Sequence, residues 1–339
     1  NSGIFRSRHN PEYGGRETDI ITRIIAGEEI AKACAATYIS AITSSVYFGY
    51  ILNTFGTEEQ KKKYLPDIIS GKKIGTLAVT EYESGSDDNE MKTTAFFKGS
   101  AWVVSGMKPY VTNAPAADYF LVAAASESES EYSGGITIFI VARGTSGCID
   151  GEPVETMGLR GSSAGEIILN KCSLRNNAVI GSPGEGAEIL AYIKNFRALC
   201  TATCSLGIAA AAMDSSNTYS KERKSSGRYL NRYQEIAFKL ADMMIETDIS
   251  RLLLYKAAWE LDNGSDDAAS AVSCAKIFAT EAASRITGWG VQIFGGKGYL
   301  KGTDVERFYR DAKFGEIAGG TSELQRIAIA GEILDRYCN

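Results

Sequence analysis

The spacing of the hydrophobic residues changes twice along this chain, and that change limits the folds it can adopt. Over residues 19–55 apolar residues recur at helical spacing. Over residues 74–180 short runs of strand-forming residues alternate with turn residues such as Gly-Ser and Ser-Gly. From Gly184 onward helical spacing returns in longer segments. The order helix, strand, helix disfavours a doubly wound nucleotide-binding fold, in which strands and helices alternate.

The middle region predicts a small antiparallel barrel or sandwich, because several short strands follow one another at near-regular spacing. The predicted strands cover residues 74–80, 94–98, 101–105, 119–123, 136–141 and 166–174. With 339 residues, 44% of them hydrophobic, the chain can bury one large core or the cores of two or three small domains. We therefore predict a multi-domain α+β protein: an N-terminal helical domain over residues 1–73, a middle antiparallel β-domain over 74–182 and a C-terminal helical bundle over 183–339.

Charge and hydropathy exclude several classes of partner. Lys and Arg total 36 against 41 Asp and Glu, so no basic excess indicates a nucleic-acid or anionic-membrane partner. No apolar run approaches the roughly 20 residues that span a bilayer. Residues 1–13 are polar, so we expect neither a signal peptide nor a membrane span.

The distribution of the cysteines and the single histidine gives little support for a metal centre. The seven cysteines are scattered, and the one close pair, Cys200 and Cys204, lies in a predicted helix. This pattern suggests neither a disulfide framework nor a zinc site, and it favours a reducing compartment. His9 is the only histidine, so a histidine-based triad has little to build on.

Two segments carry the signature of a helix start. Thr57 and Gln60 have the spacing of a capping box, and we expect that helix to end near Gly71. Ser322 and Gln325 have the same spacing after a Gly-Gly-Thr sequence. The free N–H groups at that second helix start would favour an anionic ligand, but taken alone the segment is better explained as a plain capped helix.

Four further segments could contact a cofactor, and each also has an ordinary structural explanation. The turn from Thr80 to Ser86 could bind a ring edge or a phosphate, or be a simple β-turn. Tyr110 could stack on a planar group or be a core tyrosine. Arg223 could hold a pyrophosphate or end a solvated helix. The Gly295-Gly296 pair could let the backbone approach a ligand, or simply end a helix.

In this order and spacing, the segments resemble the acyl-CoA dehydrogenase family, and the resemblance covers almost the whole chain. The matching residues are 55–61, 64–66, 80–81, 85–87, Arg223, Gln234, 240–243, 292–299, 310–313 and 320–323. Each segment alone is weak evidence, but the ordered set is specific.

The resemblance implies a fold, a cofactor and an activity. The family combines an N-terminal helical domain, a middle antiparallel β-domain and a C-terminal four-helix bundle. It uses FAD, usually in a homotetramer or homodimer, to oxidise an acyl thioester, acyl-CoA or carrier-bound, to its 2-enoyl form. An electron-transferring flavoprotein usually accepts the electrons. The resemblance also implies a bacterial cytoplasmic or mitochondrial matrix location.

The resemblance assigns site residues by position. The residues implied for FAD are Leu77, Val79, Thr80, Ser86, Tyr110, Thr112, Arg223, Gln234, Gln292, Gly295, Gly296, Thr321 and Glu323. Those implied for the acyl substrate are Ser86, Phe196, Arg197, Gly319 and Gly320. No metal is implied.

The departures from the family pattern concern the chemistry most. Gly319 stands at the usual position of the glutamate base, and Phe196 stands where other members carry that glutamate. Tyr110 replaces the usual tryptophan, Tyr82 the proline of Thr-Glu-Pro, and Ser226 a phenylalanine. The chain also begins later than typical members, so we expect it to lack the first helix or two.

These departures leave three functions open. The backbone N–H at Gly319 can still polarise a thioester, but the proton acceptor is unassigned. Glu316, three residues upstream on the same predicted loop, and Glu83 are alternative bases. The chain is then a dehydrogenase with a relocated base, a divergent flavoprotein acting on oxygen or a carrier-bound intermediate, or a non-catalytic subunit paired with a homologue.

Overall fold

The computed structural model describes residues 3–85, 91–127 and 134–337, and its elements follow the predicted order. The helices are α1 (Ile20–Ile42), α2 (Gly49–Phe55), α3 (Glu58–Ser70), α4 (Gly186–Glu222), α5 (Gln234–Asp262), α6 (Ala268–Phe294), α7 (Asp304–Ile317) and α8 (Ser322–Tyr337). The strands are β1 (Gly75–Ala78), β2 (Thr94–Lys98), β3 (Ala101–Thr112), β4 (Tyr119–Ser126), β5 (Ile136–Ala142), β6 (Cys148–Val154), β7 (Ala164–Arg175), β8 (Val179–Ile180), β9 (Lys224–Ser225) and β10 (Arg228–Tyr229). A π-helical segment, Thr43–Phe48, separates α1 from α2.

The predicted boundaries of α3 are confirmed. The Thr57 side chain accepts a hydrogen bond from the Gln60 N–H, and the Gln60 side chain accepts one from the Thr57 N–H. This capping box satisfies two N–H groups that the first turn leaves unpaired. Gly71 ends the helix with φ of 73°, a left-handed conformation that glycine adopts without strain.

The chain divides into two compact units. The first comprises Asn1–Thr18, Ser40–Thr156 and Arg160–Phe196, and the second comprises Asp19–Ile39, Met157–Leu159 and Arg197–Asn339. The first unit holds the strands β1 to β8. The second is largely helical and holds α5 to α8 and most of α4.

The eight strands of the first unit form one sheet in the order β6-β7-β3-β2-β4-β5-β8, with β1 also paired to β4. The predicted β-domain is present, but it is not purely antiparallel, because β1 and β2 both pair with β4 in parallel. The strands β6 and β8 were not predicted: β6 is largely exposed, and β8 has only two residues. Hydrophobic alternation reports which face is buried, but not the direction of the neighbouring strand.

Large aromatic side chains fill the core of this sheet. Trp102, Phe120 and Phe139 are fully buried. The ring centroids of Trp102 and Phe139 lie 5.2 Å apart, and the Trp102 indole N–H donates to the side-chain oxygen of Asn176 at 3.1 Å. Aromatic rings bury much apolar area per residue, and a buried indole needs such a partner. The sheet is therefore a firm support for the segments at its edges.

In the second unit, α6 packs through small residues. Its buried positions include Ala275, Ala279, Ala282 and Ile286, which recur at spacings of three and four. This spacing places the residues on one helical face, where small side chains allow close helix packing.

An apolar face of α5 is left uncovered by the described chain. Met244, Ile245 and Leu252 are 58%, 54% and 67% exposed. Phe238 and Trp259 are also more than half exposed. Large exposed apolar surfaces commonly mark contacts with other molecules.

The structure bears on the predictions about membrane spans, cysteines and metal sites. Two helical stretches, Ile20–Phe55 and Gly186–Glu222, are long and apolar enough to cross a membrane, but 83% of each apolar window is buried, as in ordinary core helices. The cysteines among residues 3–337 are free, and Cys200 and Cys204 do lie in α4. The described residues contain no group of three His, Cys, Asp or Glu side chains able to hold a metal ion.

Candidate functional site

A buried ion pair fastens the turn after β1 to strand β3. The Lys108 ammonium donates to Glu81 at 2.7 Å and to the Val79 carbonyl at 2.8 Å. The Glu81 carboxylate also accepts the N–H groups of Lys92 and Thr93. Lys108 is fully buried and Glu81 nearly so. Burial alone would raise the pKa of Glu81, but Lys108 and these N–H groups lower it below its ordinary value, so the carboxylate stays charged.

Beside this ion pair, a β-bulge turns Tyr110 out of the sheet. Lys108 pairs with Ile167 and Val111 with Gly165, so two residues, Pro109 and Tyr110, lie opposite one residue of β7. Tyr110 has φ of +56° and is 55% exposed. Bulges commonly redirect a side chain beside a functional site, and a positive φ is strained for a bulky residue.

Other residues implied for FAD or the acyl substrate also fall within the first unit's range. Leu77 and Thr80 are half-buried, Val79 is buried, and the Thr112 carbonyl accepts the Thr76 hydroxyl at 2.6 Å. Ser86 lies outside the described residues.

The two remaining first-unit candidates lie in different surroundings. Phe196 packs edge-on against Tyr50, with centroids 5.3 Å apart, and the Arg8 guanidinium carbon lies 5.8 Å from the centroid of the Phe196 ring. Glu83 is exposed in the turn after β1. Phe196 therefore belongs to an aromatic cluster, and its ring could not replace a carboxylate base.

In the second unit, the loop at Gly319 has no room for a side chain. Gly319 has φ of +68°. A Cβ added there would lie 2.6 Å from the Thr201 hydroxyl and 3.0 Å from the Arg197 carbonyl. Thr201 is buried, and its hydroxyl donates to that same carbonyl at 2.9 Å. The threonine therefore occupies the space where a side chain at position 319 would begin.

Helix contacts hold this loop in place. The Gly319 carbonyl accepts from the Gln325 amide at 3.2 Å, and the Gln325 oxygen accepts from Ser273 of α6 at 2.8 Å. Lys276, one turn further along α6, reaches the Glu316 carbonyl at 3.4 Å, and burial lowers its pKa to about 8. Among the residues that the structure describes, the Gly319 N–H donates no hydrogen bond to the protein. It is thus a fixed donor available to a ligand.

Glu316 does not lie on the loop, contrary to the prediction. The helix α7 continues to Ile317, and the Glu316 carboxylate accepts from Ser284 and from Lys313. Burial would raise its pKa, but these two partners lower it below the ordinary value. A carboxylate engaged in this way is a weak candidate for the base.

The predicted capping box of α8 is wrong. The residue that caps the helix is Thr321, whose hydroxyl accepts the Leu324 N–H at 3.3 Å. Gln325 cannot complete a box because its amide holds the Gly319 carbonyl and Ser273. The Ser322 hydroxyl is buried, and within the described chain it has no partner.

The residues implied for the phosphate and adenosine end of FAD are all exposed. Arg223 lies between α4 and the β9–β10 hairpin, and Gln234 begins α5. Gln292 lies in the last turn of α6, just before Gly295 and Gly296. No ion pair to Arg223 is found in the part of the chain described, so its guanidinium is available to an anion. Glu323 lies in the first turn of α8.

An aromatic stack supports the glycine turn that follows α6. The rings of Tyr219 and Phe294 lie 4.0 Å apart and nearly parallel, with Lys297 over Tyr219. A Cβ added at Gly296 would meet nothing within 4 Å, and the backbone there is not left-handed. The described chain itself therefore does not require glycine at this position, and the space beside it is open.

Sequence reasoning missed three of these features. Thr201 lies within a helix that showed no motif, and its role depends on a residue 118 positions later. Glu81 stands in the turn from Thr80 to Ser86, but its pairing with Lys108 depends on how the strands associate. Tyr219 and Phe294 meet through helix packing. No periodicity signals contacts of this kind.

Comparison with protein families gives a match in each third of the chain. Residues 1–72 match the profile described as acyl-CoA dehydrogenase, N-terminal domain, residues 76–172 match the middle domain, and residues 184–334 match the C-terminal domain.

Individual proteins agree with the profiles. The chain is 39% identical over 336 residues to the mitochondrial short-chain specific acyl-CoA dehydrogenase of Bos taurus, covering 99% of this chain and 81% of that protein. The structure resembles butyryl-CoA dehydrogenase from Megasphaera elsdenii, with a TM-score of 0.93, 34% identity and coverage of 98% and 87%. It also resembles the prolyl acyl carrier protein oxidase AnaB, with a TM-score of 0.91, 31% identity and coverage of 98% and 88%.

Proposed function

Because this chain belongs to the acyl-CoA dehydrogenase family, we propose that its substrate is a short-chain acyl-CoA, which it converts to the 2-enoyl thioester. Members of this family are FAD-dependent oxidoreductases of fatty acid metabolism that dehydrogenate acyl thioesters. The short-chain assignment rests on the relatives' substrates, since short-chain and butyryl-CoA enzymes are among the proteins that the chain resembles.

The described residues fit FAD at two places, one in the first unit and one in the second. In the first unit Tyr110 is a large ring held exposed at a strained backbone position, where a planar group would cover it. In the second unit Gly296 leaves open space that a Cβ would enter, and Arg223 offers an exposed guanidinium to phosphate. When bound, FAD supplies the acceptor for the hydride from the β-carbon.

The observation that carries the proposal is the free N–H of Gly319. In this role it donates to the thioester oxygen as that oxygen gains charge during removal of the α-proton. The bonds from Gln325 and Ser273 fix the loop before the substrate arrives. A preorganised donor of this kind stabilises the charged oxygen without reorganising during the reaction.

The site has no assigned acceptor for the α-proton of the substrate. Gly319 and Phe196 provide no carboxylate, and Glu316 is held by Ser284 and Lys313. Losing a general base typically costs roughly 10²–10⁴ in rate. We therefore propose slow turnover with acyl-CoA, and we retain exposed Glu83 as the remaining candidate base.

A second candidate function follows from Thr201. Its hydroxyl fills the space beside Gly319, so the packing at this position suits a residue that carries no side-chain base. This observation favours a subunit that binds a thioester without rapid turnover, or a flavoprotein acting on a carrier-bound intermediate. The resemblance to a prolyl acyl carrier protein oxidase supports the carrier alternative.

Absorbance spectroscopy distinguishes these functions. The purified protein should carry FAD, and anaerobic butyryl-CoA should bleach the flavin band slowly. A protein that is colourless and takes up no FAD would contradict the proposal. A protein that keeps FAD but is bleached only by carrier-bound acyl groups, or by none, would favour the second candidate.

We further propose a homo-oligomer and an electron-transferring flavoprotein as the acceptor. Homotetramers and this acceptor are typical of the family. The exposed residues Phe238, Ile245, Leu252 and Trp259 recur at intervals of seven on α5 and form an apolar stripe suited to another helix. We also propose a cytoplasmic or mitochondrial matrix location. We further propose that the chain has three domains, over residues 1–73, 74–182 and 183–339.

A further inference from the structure

Tyr82 is a departure from the family pattern that the proposed reaction leaves without a role. It follows Glu81 in the turn after β1 and is 59% exposed. Its ring lies edge-on to Tyr110, with centroids 5.7 Å apart and planes at 76°. Its hydroxyl donates a hydrogen bond to the Glu166 carboxylate. Tyr82 and Tyr110, which both depart from the family pattern, are therefore in direct contact.

Glu166 occupies a special position in the sheet. On one side β7 pairs with β3, where Pro109 and Tyr110 lie opposite Glu166. On the other side β7 pairs with β6, where the pairing shifts between Asp150 and Pro153, again opposite Glu166. The residue thus faces a bulge on both neighbouring strands. Bulges bend a strand and leave a residue without its ladder partner, so side-chain contacts there add to what holds the local geometry.

Tyr110 needs such contacts because its backbone is strained. A non-glycine residue with positive φ persists only where its surroundings hold it. On the inner side the Lys108–Glu81 ion pair anchors the preceding residues. On the exposed side the described chain offers the ring of Tyr82, itself tethered to Glu166.

We propose that Tyr82 and Glu166 are positioning residues that hold the Tyr110 ring in the orientation that stacks on the flavin. This inference rests on the proposed FAD site. The phenol is protonated at neutral pH and can donate this hydrogen bond, and the bond to Glu166 raises the pKa of Tyr82 further.

A double-mutant cycle tests the proposal with readouts other than turnover. The variants are Tyr82→Phe, Glu166→Ala and the two combined, with Tyr82→Ala to remove the ring contact as well. Each variant is measured for FAD affinity by fluorescence titration and for the visible circular dichroism of bound FAD. Tyr309→Phe, an exposed tyrosine on α7, is the matched control.

We expect Tyr82→Ala to weaken FAD binding by about two- to tenfold, the range of an edge-on aromatic pair, and to alter the flavin dichroism. Tyr82→Phe and Glu166→Ala should have smaller and equal effects that do not add in the double variant, because both remove one hydrogen bond. Tyr309→Phe should match the parent.

The outcomes separate this inference from the proposed function. If the parent binds FAD and all four Tyr82 and Glu166 variants keep its affinity and dichroism, the positioning role is refuted. Additive effects of Tyr82→Phe and Glu166→Ala would refute the tether between them. A parent that binds no FAD would instead overturn the FAD site itself.

Discussion

At position 319 the backbone and one neighbouring side chain together restrict which residue the site can hold. The positive φ of Gly319 strains any other residue, and the Thr201 hydroxyl occupies the space of a Cβ. Restoring the family's base therefore requires two changes. A glutamate at position 319 alone must displace Thr201 or distort the loop.

Gly319→Glu combined with Thr201→Ala should raise acyl-CoA dehydrogenase activity by roughly tenfold or more over the parent, because it supplies the missing general base. Gly319→Glu alone should gain less and lower the melting temperature, because its Cβ meets Thr201 at 2.6 Å. Flavin bleaching by butyryl-CoA and turnover with an artificial acceptor measure the activity.

Thr201→Ala alone is the control and should not gain activity, since it adds no carboxylate. If the parent already turns over rapidly and the double variant is slower, a base exists elsewhere, and Glu83→Gln becomes the next variant to examine.

Arg223→Ala should weaken FAD retention much more than acyl-CoA binding. A lost charge-assisted bond to phosphate costs about 1.5–3 kcal/mol, or one to two decades in affinity. Flavin content after dialysis measures the effect. Lys221→Ala, an equally exposed cation in the last turn of α4, is the matched control. Equal flavin content in the two variants would show that Arg223 is a solvated helix end.

At the scale of elements, the Lys108–Glu81 pair joins the turn after β1 to β3, and so joins the two segments that carry Thr80 and Tyr110. Both side chains are buried, and the N–H groups of Lys92 and Thr93 also donate to the carboxylate. Breaking a buried pair by removing one partner leaves an uncompensated charge, which costs far more than losing an exposed pair.

Lys108→Met should therefore lower the free energy of unfolding by about 3–5 kcal/mol, measured by urea denaturation. Adding Glu81→Gln should recover part of that loss because the stranded charge is removed. Lys73→Met, which breaks the partly exposed pair with Asp118, should have a much smaller effect. Similar losses in Lys108→Met and Lys73→Met would mean that the buried pair is not critical to the turn.

At the scale of the whole molecule, the uncovered stripe on α5 points to assembly. Its members Phe238, Ile245, Leu252 and Trp259 are all more than half exposed in the isolated chain. An apolar stripe of this length on a helix is costly to leave in water.

Leu252→Glu should shift the protein to a smaller assembly in multi-angle light scattering, because it places a charge in the apolar contact. Ser100→Glu, which adds the same charge in the exposed turn between β2 and β3, should leave the mass unchanged. A parent that is a folded monomer loaded with FAD would contradict the oligomer proposal.

Local chemistry made much of the fold predictable. Thr57, Gln60 and Gly71 fix the ends of α3 through bonds between near neighbours, so the sequence contains the whole motif. The directions of β1, β2 and β4 were not predictable, because alternation indicates faces and not pairing. The cap of α8 was misassigned because Gln325 has a distant partner in Ser273, which outweighs its local spacing.

The sequence by itself determined the order of helices and strands, the family and the absence of a carboxylate at Gly319 and Phe196, since each follows from residue identity and spacing. Only the tertiary structure decided that Thr201 closes the space beside Gly319, that Glu316 is held away on α7, and that Tyr82 contacts Tyr110. The physical reason is range: periodicity and capping act over a few residues, whereas these contacts join residues 28 to 118 positions apart in the chain, which meet only when the elements pack.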